Sequence, residues 1–416
     1  MTTQKPQSIA IIGAGLAGMS LALALNKQSI KSTIYELREP SARADGALML
    51  CPNALTVLDA IGIYERIKHQ GYMFEKLEYK DENNNLTDQY YLGEEKLFGY
   101  KALRVYRDIL LREIRAFVVE QGINVDYGRK FSKIVKEDEH GVVFQFEDGS
   151  TESATMLIGA DGIHSKVRQY INPGVGPVYS GIMAITSAVD VSKLRFPEPN
   201  YHMTTSIHAK NGAFVFAPQN PSGTEVLIGT QRKYPEQDQE GWRKLREDRE
   251  GLKNMFQANM NEWPDLVQSA MENMIPGKLS IWPYYVVPKV DTWTSPAKRV
   301  VLLGDAAHAI PPTAGQGASQ AFEDVYSLSL LMSKLSDKVK LDDALDFWQQ
   351  YRMARVGEVL ALTNKLNVKR LPLEERAKVP EEVIFKDVGD GEGQRWLFEP
   401  KIEENMMKWV DEQEKK

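Results

Sequence analysis

A glycine-rich turn directly after the first predicted strand restricts the fold of this chain more than any other stretch. Residues Ser8 to Ile12 form an apolar run typical of a buried strand, and the sequence GAGLAG follows, ahead of an apolar helix from Leu16 to Lys27. Gly13 suits a tight turn, Gly15 lets the backbone approach a pyrophosphate, and Gly18 lets the helix pack closely on the strand. The spacing predicts a Rossmann-like unit that binds a dinucleotide.

An acidic residue follows at the position where such a unit contacts a ribose. The second predicted strand, Thr33 to Tyr35, ends at Glu36, which comes 18 residues after Gly18. A carboxylate here can accept hydrogen bonds from the hydroxyls of an adenosine ribose, and it disfavours a ribose that carries a 2′-phosphate. The alternative interpretation of Glu36 is a solvated charge at a strand end.

A second glycine-rich stretch, between residues 299 and 324, predicts another part of a ligand site. The apolar run Val300 to Leu303 is typical of a strand covered on both faces, and Asp305 follows after one glycine. Gly315 and Gly317 then expose backbone N–H groups at the start of a predicted helix, Ala318 to Leu335. The helix dipole favours an anion or a polar ring at this point. An ordinary strand-loop-helix crossover is the alternative.

Two further helix starts carry a charged side chain. The predicted strand Met156 to Gly159 runs into Asp161, whose carboxylate can cap the helix that follows. Arg107 begins another predicted helix, where a cation is unfavourable beside the helix dipole. Either a bound anion or polar ligand, or a salt bridge to Glu113 or Asp108, would explain Arg107.

The middle of the chain has a different pattern. One charged helix is predicted from Trp242 to Met260. Short segments broken by proline and glycine predict an antiparallel sheet, with strands at Ile182 to Val189, Tyr201 to Ile207, Ala213 to Ala217, Val226 to Thr230 and Leu279 to Val287. We therefore expect a discontinuous dinucleotide-binding domain of residues 1–177 with 291–370. A sheet domain of residues 178–290 would take additional strands from about 72–104, and residues 371–416 would form a C-terminal helical tail.

Composition restricts the class of protein. The chain of 416 residues is long enough for more than one domain, and its net charge of −6 gives no reason to expect nucleic acid as a partner. Cys51 is the only cysteine, which excludes an intrachain disulfide and favours a reducing compartment. Neither a membrane-spanning run nor a signal peptide is evident, so we expect a cytoplasmic protein.

Three motifs stand out along the chain, namely GAGLAG with Glu36, IGADGIHSKVR at 158–168 and GDAAHAIPPTAGQGASQAFED at 304–324. In combination they resemble the class A flavoprotein monooxygenases, of the aromatic hydroxylase type similar to salicylate and urate hydroxylases. The resemblance implies an α/β fold, in which a Rossmann-like FAD-binding domain is interleaved with an antiparallel-sheet substrate domain and followed by C-terminal helices. It also implies tightly bound FAD, with NAD(P)H as a transient co-substrate. Oxygen would add to the reduced flavin to give a C4a-hydroperoxide, which transfers one oxygen atom to the substrate.

The resemblance also assigns roles to individual residues. Glu36 would hold the adenosine ribose, Arg107 would contact the cofactor from the side, and Asp305 would bind the ribityl chain or the pyrophosphate region. Asp161 would support FAD and the docking of NAD(P)H. The predicted cofactor-binding residues are Gly13, Gly15, Gly18, Glu36, Gly46, Ala47, Arg107, Asp161, Gly162, Asp305, Pro312, Gly315, Gly317 and Ala318. No metal site is predicted.

The substrate site departs from the family pattern. Salicylate-type and urate-type members carry an aromatic-Arg-Gly sequence where this chain has Ile185 and Thr186. Phe214 and Phe216 lie near the position of a tyrosine in the family, so we expect a more apolar pocket. His308 is interpreted as orienting the adjacent loop, with a catalytic role as the alternative. The catalytic residues stay unknown, and candidates for an acid or base, each with packing or surface exposure as the alternative role, are His202, His208, Gln231, Tyr284 and Tyr285.

We therefore predict an FAD-dependent monooxygenase of secondary metabolism that uses NAD(P)H and O2 to hydroxylate a mostly apolar, aromatic or polyketide-like small molecule. Epoxidation or Baeyer–Villiger oxygen insertion on the same cofactor is the enzymatic alternative. A flavin-fold protein that binds without catalysis is the alternative from another class. We expect a monomer or homodimer.

Overall fold

The computed structural model describes residues 6–41, 46–387 and 391–416 of the chain. Within these ranges the strands, numbered in chain order, are β1 (Ile9–Ile12), β2 (Ser32–Glu36), β3 (Ala47–Leu50), β4 (Tyr72–Phe74), β5 (Lys76–Asp81), β6 (Leu86–Tyr91), β7 (Ala102–Tyr106), β8 (Asn124–Tyr127), β9 (Phe131–Asp138), β10 (Gly141–Phe146), β11 (Thr151–Ala154), β12 (Met156–Gly159), β13 (Val178–Asp190), β14 (Thr205–Ala209), β15 (Gly212–Pro218), β16 (Glu225–Lys233), β17 (Ser280–Val286) and β18 (Val300–Leu302). The helices are α1 (Leu16–Lys27), α2 (Pro52–Ala60), α3 (Tyr64–Ile67), α4 (Glu95–Phe98), α5 (Arg107–Glu120), α6 (Lys166–Ile171), α7 (Gln239–Glu247), α8 (Arg249–Phe256), α9 (Asp265–Glu272), α10 (Asp305–His308), α11 (Gly317–Ser333), α12 (Leu341–Lys369), α13 (Leu373–Arg376), α14 (Arg395–Phe398) and α15 (Ile402–Glu414).

A five-stranded parallel sheet positions the predicted dinucleotide site. Its strand order is β18-β12-β1-β2-β8, and every neighbouring pair is parallel. All residues of β1, β12 and β18 are buried, as expected for parallel strands that are covered on both faces. Because the strands are parallel, their carboxyl ends lie at one edge of the sheet. The Rossmann-like architecture and the α/β fold class predicted from the sequence are confirmed.

A seven-stranded sheet, with the order β17-β13-β16-β15-β14-β5-β6, forms the second large layer. All its pairs are antiparallel except β5 with β14. One face, called here the helical face, carries Ile185, Phe214 and Phe216, which pack into a separate core with Phe256 of α8. The opposite face, called the inner face, carries His208, and the segment after α12 covers it. The two phenylalanines therefore point away from the inner face.

Three predicted elements differ from the structure. The helix expected from Trp242 to Met260 is two helices, because Asp248 has non-helical backbone angles and its side chain caps the N–H of Gly251 at 2.8 Å. The strand expected from Tyr201 begins only at Thr205, whose hydroxyl donates to the carbonyl of His202 in a local turn. The strands expected to join the sheet domain from about 72–104 are divided, because β4 pairs with β7 in another sheet whereas β5 and β6 join the seven-stranded sheet.

A buried ion network connects α11 to α12. Glu323 and Asp324 of α11 and Arg352 of α12 are all fully buried. Arg352 donates to Asp324 at 2.7 Å and to Glu323 at 2.6 Å, and Arg355 donates to Glu323 at 3.1 Å. The amide of Asn53 in α2 also donates to Glu323, at 2.7 Å. Each buried charge therefore has an opposite charge in contact, which is the condition for burying it without a large penalty.

No helix among the residues that the structure describes is long and apolar enough to cross a bilayer.

Replacement of Arg352 by methionine tests the network. We expect the free energy of unfolding to fall by about 3–5 kcal/mol, because Glu323 and Asp324 would stay buried without their main partner. Urea denaturation followed by circular dichroism measures the change. The matched control is Arg243→Met, which removes an exposed arginine of α7 and should leave the midpoint nearly unchanged. Equal losses in the two variants would contradict the role of the network.

Candidate active site

The glycine turn after β1 leaves open space where a dinucleotide would lie. Gly13 has a φ of +107°, and a Cβ there would lie 2.5 Å from the carbonyl oxygen of Ala160. A Cβ on Gly18 would lie 1.9 Å from the carbonyl oxygen of Gly13. A Cβ on Gly15, in contrast, would meet no atom of the described chain within 4 Å. Close backbone packing therefore requires glycine at Gly13 and Gly18. Gly15 borders an open space, called here the glycine cradle, that the described chain does not fill.

Glu36 lies beside this turn. Its Oε2 accepts the N–H of Ala14 at 2.6 Å, and its Oε1 accepts the N–H of Arg38 at 2.8 Å. The carboxylate is thus held at the edge of the cradle, in the position from which the sequence predicts contact with a ribose. The N-cap position of α1, at Gly15, has no side-chain cap, so the first N–H groups of that helix have no side-chain partner.

Asp161, after β12, caps α6 and connects to a second motif. Its carboxylate accepts the Ser165 hydroxyl at 2.5 Å and the N–H of Lys166 at 2.8 Å, so the capping role is confirmed. Arg168, two residues into α6, is fully buried and donates to the carbonyls of Ile163 at 2.6 Å and of Ala306 at 2.9 Å. Arg168 therefore joins the loop after β12 to the short helix α10 that follows β18.

Asp305, after β18, faces a concave cleft. The side chain of Asp305 has an exposed surface area. The surrounding protein nevertheless desolvates its carboxyl group, which raises the pKa of that group, while His308 and Arg107 lower it. An exposed carboxylate that protein desolvates lies in a cleft and not on a convex surface. Arg107 forms no salt bridge with Glu113, which pairs with Arg66 and Arg112. Neither Glu113 nor Asp108 forms an ion pair with its guanidinium among the described residues, which leaves it open to a ligand at the same cleft.

The loop of residues 309–316 is held from three sides. Gly315 has a φ of +65°, and a Cβ there would lie 2.0 Å from the Cε of Met49. The Thr313 hydroxyl donates to the side chain of Asn367 at 2.5 Å. The ring of His308 packs at a tilt of 36° against Trp293 and contacts Asp324 at 2.6 Å, in agreement with an orienting role. No side chain caps α11 at its N-cap, so its first N–H groups have no side-chain partner.

These features fit FAD. Glu36, Asp161 and Asp305 follow three strands of one sheet at their common carboxyl edge, where ligands bind in open α/β folds. The unfilled space at Gly15 and the uncapped helix starts suit a pyrophosphate and the polar edge of a flavin ring. A Cβ on Gly46 or on Gly162 would likewise meet nothing within 4 Å in the described chain.

The candidate acid and base residues separate between the two faces of the seven-stranded sheet. The hydroxyl of Tyr285 accepts from Trp242 Nε1 of α7 at 3.0 Å, on the helical face. His202 contacts the carbonyl of Lys76 at 3.0 Å, in the turn before β14. His208 and Tyr284 lie on the inner face, and both are buried. Gln231, the cross-strand partner of Ala184, shares this face, so His208, Tyr284 and Gln231 are the candidates in a position to meet a ligand between the sheet and loop 309–316.

Two arginines that the sequence interpretation did not single out also border this space. Arg104 of β7 lies between Met49 and Tyr72 on neighbouring strands, and its buried Nε has no partner among the described residues. Burial lowers the pKa of its guanidinium to about 10. Arg370, at the end of α12, has a buried Nε that is likewise unpartnered. Arg104 interrupts the apolar strand sequence ALRVY, a signal that could have identified it, whereas Arg370 follows Lys369 at the end of a charged helix and gives little signal.

Alanine substitutions at two glycines separate fold from ligand binding. Gly15→Ala should raise the dissociation constant for FAD about tenfold or more and leave stability unchanged, because the added methyl group enters only the cradle. Gly18→Ala should lower the free energy of unfolding by about 1–3 kcal/mol, because the methyl group meets backbone. Quenching of flavin fluorescence and urea denaturation of the FAD-free protein measure the two effects. Similar stability losses in both variants would contradict the geometry.

His208 should make stability depend on pH. Burial, together with Arg376, Arg370 and Lys369, lowers the pKa of His208 to about 3. The unfolded chain binds a proton at this histidine near pH 6.5, whereas the folded chain does not. The contribution of His208 to stability is therefore fully present above that pH and is lost as the pH decreases towards 3. From pH 7 to pH 5 the loss should be about 2 kcal/mol, and His208→Gln should abolish it. Urea denaturation at both values tests this, with His140→Gln, at an exposed histidine, expected to behave as wild type.

Comparison with known proteins agrees with this geometry. The family described as FAD binding domain matches residues 7–363. Hispidin-3-hydroxylase of Neonothopanus nambi is 26% identical over an alignment of 386 positions, which covers 85% of this chain and 87% of that protein. The 6-methylsalicylate 1-monooxygenase atA of Aspergillus terreus is 26% identical over an alignment of 422 positions, which covers 95% of this chain and 87% of that protein. The crystal structure of Klebsiella pneumoniae HpxO with FAD and uric acid has a TM-score of 0.74 at 21% identity and covers 98% of this chain and 95% of that chain.

These findings confirm the resemblance to flavin-dependent aromatic hydroxylases that the three motifs indicated, and FAD as the cofactor. The matched residues include both glycine-rich motifs and all three acidic strand ends. The chain belongs to the FAD binding domain family.

Proposed function

We propose that this protein is an FAD-dependent monooxygenase that uses NAD(P)H and O2 to hydroxylate a mostly apolar, aromatic or polyketide-like small molecule. The observation that carries the proposal is the convergence of Glu36, Asp161 and Asp305 beside an unfilled glycine cradle. The names of the relatives support the reaction class, since they include a hispidin hydroxylase and a 6-methylsalicylate monooxygenase.

The residues predicted to hold FAD are proposed in the same roles. Bound FAD would take a hydride from NAD(P)H and activate O2. The chain's own part would be to bind, orient and shield. The uncapped start of α11 would stabilise negative charge at the pyrimidine edge of the flavin, Pro311 and Pro312 would stiffen the adjacent loop, and the inner face of the seven-stranded sheet would exclude water from the substrate.

We also propose the domain division 1–177 with 291–370, 178–290 and 371–416. The presence of separate hydrophobic cores for the parallel sheet and for the helical face supports its first two parts. We propose a cytoplasmic enzyme, monomeric or homodimeric and without a nucleic acid partner. The single cysteine and the net charge of −6 support the compartment and the absence of that partner.

Isotope labelling tests the function. Purified protein should be yellow, and NAD(P)H should reduce its flavin. With 18O2 and a panel of phenols and pyrones that includes 6-methylsalicylate and hispidin, at least one product should gain a single labelled oxygen atom, detected by mass spectrometry. Formation of hydrogen peroxide alone with every compound would contradict the proposal. Colourless protein that cannot be reconstituted with FAD would favour a binding role without catalysis.

A further inference from the structure

Arg370 lies between loop 309–316 and the seven-stranded sheet. Its Nη2 is 3.5 Å from the carbonyl of Thr313 in that loop. The same guanidinium contributes, after burial and Arg376, to the low pKa of His208, and it opposes the rise that burial causes in the pKa of Tyr284. Arg370 therefore acts electrostatically on residues of both β14 and β17, and its carbonyl oxygen would lie 3.3 Å from a Cβ on Gly212 of β15.

The order of the strands places the guanidinium over the centre of the sheet. β15, β16 and β13 separate β14 from β17, so the two strands are roughly 19 Å apart at the usual spacing of about 4.8 Å. A group near residues of both must lie above the strands in between. Loop 309–316 is on its other side. Arg370 thus occupies the gap in which a substrate would have to meet the flavin.

The sheet beneath this position carries small or neutral side chains. Ala213 is the cross-strand partner of His208, and Gln231 is that of Ala184, so these side chains share the inner face with their partners. The Oε1 of Gln231 is buried and has no hydrogen-bond partner in the described structure. The two alanines leave room for a flat ring above the sheet.

The charge of Arg370 is not compensated by the protein. Its Nε is buried without a partner, and no salt bridge joins Arg370 to a carboxylate within the described ranges. Neighbouring cations are already engaged, since Lys369 pairs with Asp88 and Arg376 donates to the Nδ1 of His208. An unpaired charge in a partly desolvated position is unfavourable, and a ligand anion would remove that penalty.

We propose that Arg370 binds a carboxylate of the substrate and holds the attached ring between the inner face and the flavin. A guanidinium presents a planar pair of N–H donors that matches a carboxylate, and the match also orients the ring. The other half-buried arginine of this sheet, Arg232, donates to the carbonyl of Met255 on the helical face and cannot serve this role. The inference rests on the proposed function and narrows its substrate class to aromatic acids.

Titration of the FAD-loaded protein with matched acids and amides tests the inference. Salicylate and 6-methylsalicylate are compared with salicylamide and 6-methylsalicylamide, and binding is followed by the change in flavin absorbance. Wild type should bind each acid more tightly than its amide. Arg370→Gln should weaken acid binding about 10- to 100-fold and leave amide binding unchanged, because it removes a charge-assisted hydrogen bond. Arg370→Lys should recover part of the acid affinity, and Arg232→Gln should behave as wild type.

Other results would overturn the inference. They are equal affinity of wild type for acids and amides, no detectable binding of either, and undiminished acid binding in Arg370→Gln. Loss of FAD from both Arg370 variants while the protein stays folded would assign the arginine to the cofactor instead. Flavin reduction by NAD(P)H and oxygen uptake by wild type test the proposed function without these acids, so the two proposals can fail independently.

Discussion

Asp324 is the residue on which the geometry of the cofactor side depends. One oxygen of its carboxylate contacts the N–H of Gly304 at 2.9 Å and the Nε2 of His308 at 2.6 Å, and the other accepts from Arg352 at 2.7 Å. These bonds join the end of β18, the approach to loop 309–316 and the long helix α12 at one buried point. Movement of any of these parts would leave a buried charge unpaired, which is costly, so the loop is held before a ligand binds.

The two sides of the candidate site use different parts of the chain. On the proposed cofactor side the surface is mostly backbone, with the open turn at Gly15 and two uncapped helix starts among the described residues. On the proposed substrate side the surface consists of side chains that come from the seven-stranded sheet and the end of α12. Backbone geometry suits a ligand that is common to a family, whereas side chains change readily between members. The cofactor follows from the fold, whereas the choice of substrate is proposed to depend on side chains such as Arg370.

Local spacing explains which predictions succeeded. The helix Leu16–Lys27 and the strand Met156–Gly159 were predicted with the bounds that the structure has, because glycine turns and buried apolar runs mark their ends. The segment through Asp248 was predicted as one continuous helix from its helical periodicity. Periodicity is not changed by a single residue such as Asp248, whose side chain accepts the N–H of Gly251 and starts a second helix. Alternation along β15 identified two faces, but it could not indicate that Phe214 belongs to the helical one.

The sequence by itself determined the dinucleotide fold, the acidic strand ends and therefore the class of cofactor. Each of these features depends on residues that are close together along the chain. Only the tertiary structure decided what meets the inner face. Arg370 is 57 residues beyond Thr313 along the chain, yet α12 brings it back beside that loop and over the sheet. An unpaired charge is defined by the absence of a partner in space, and no pattern along a chain can specify that absence.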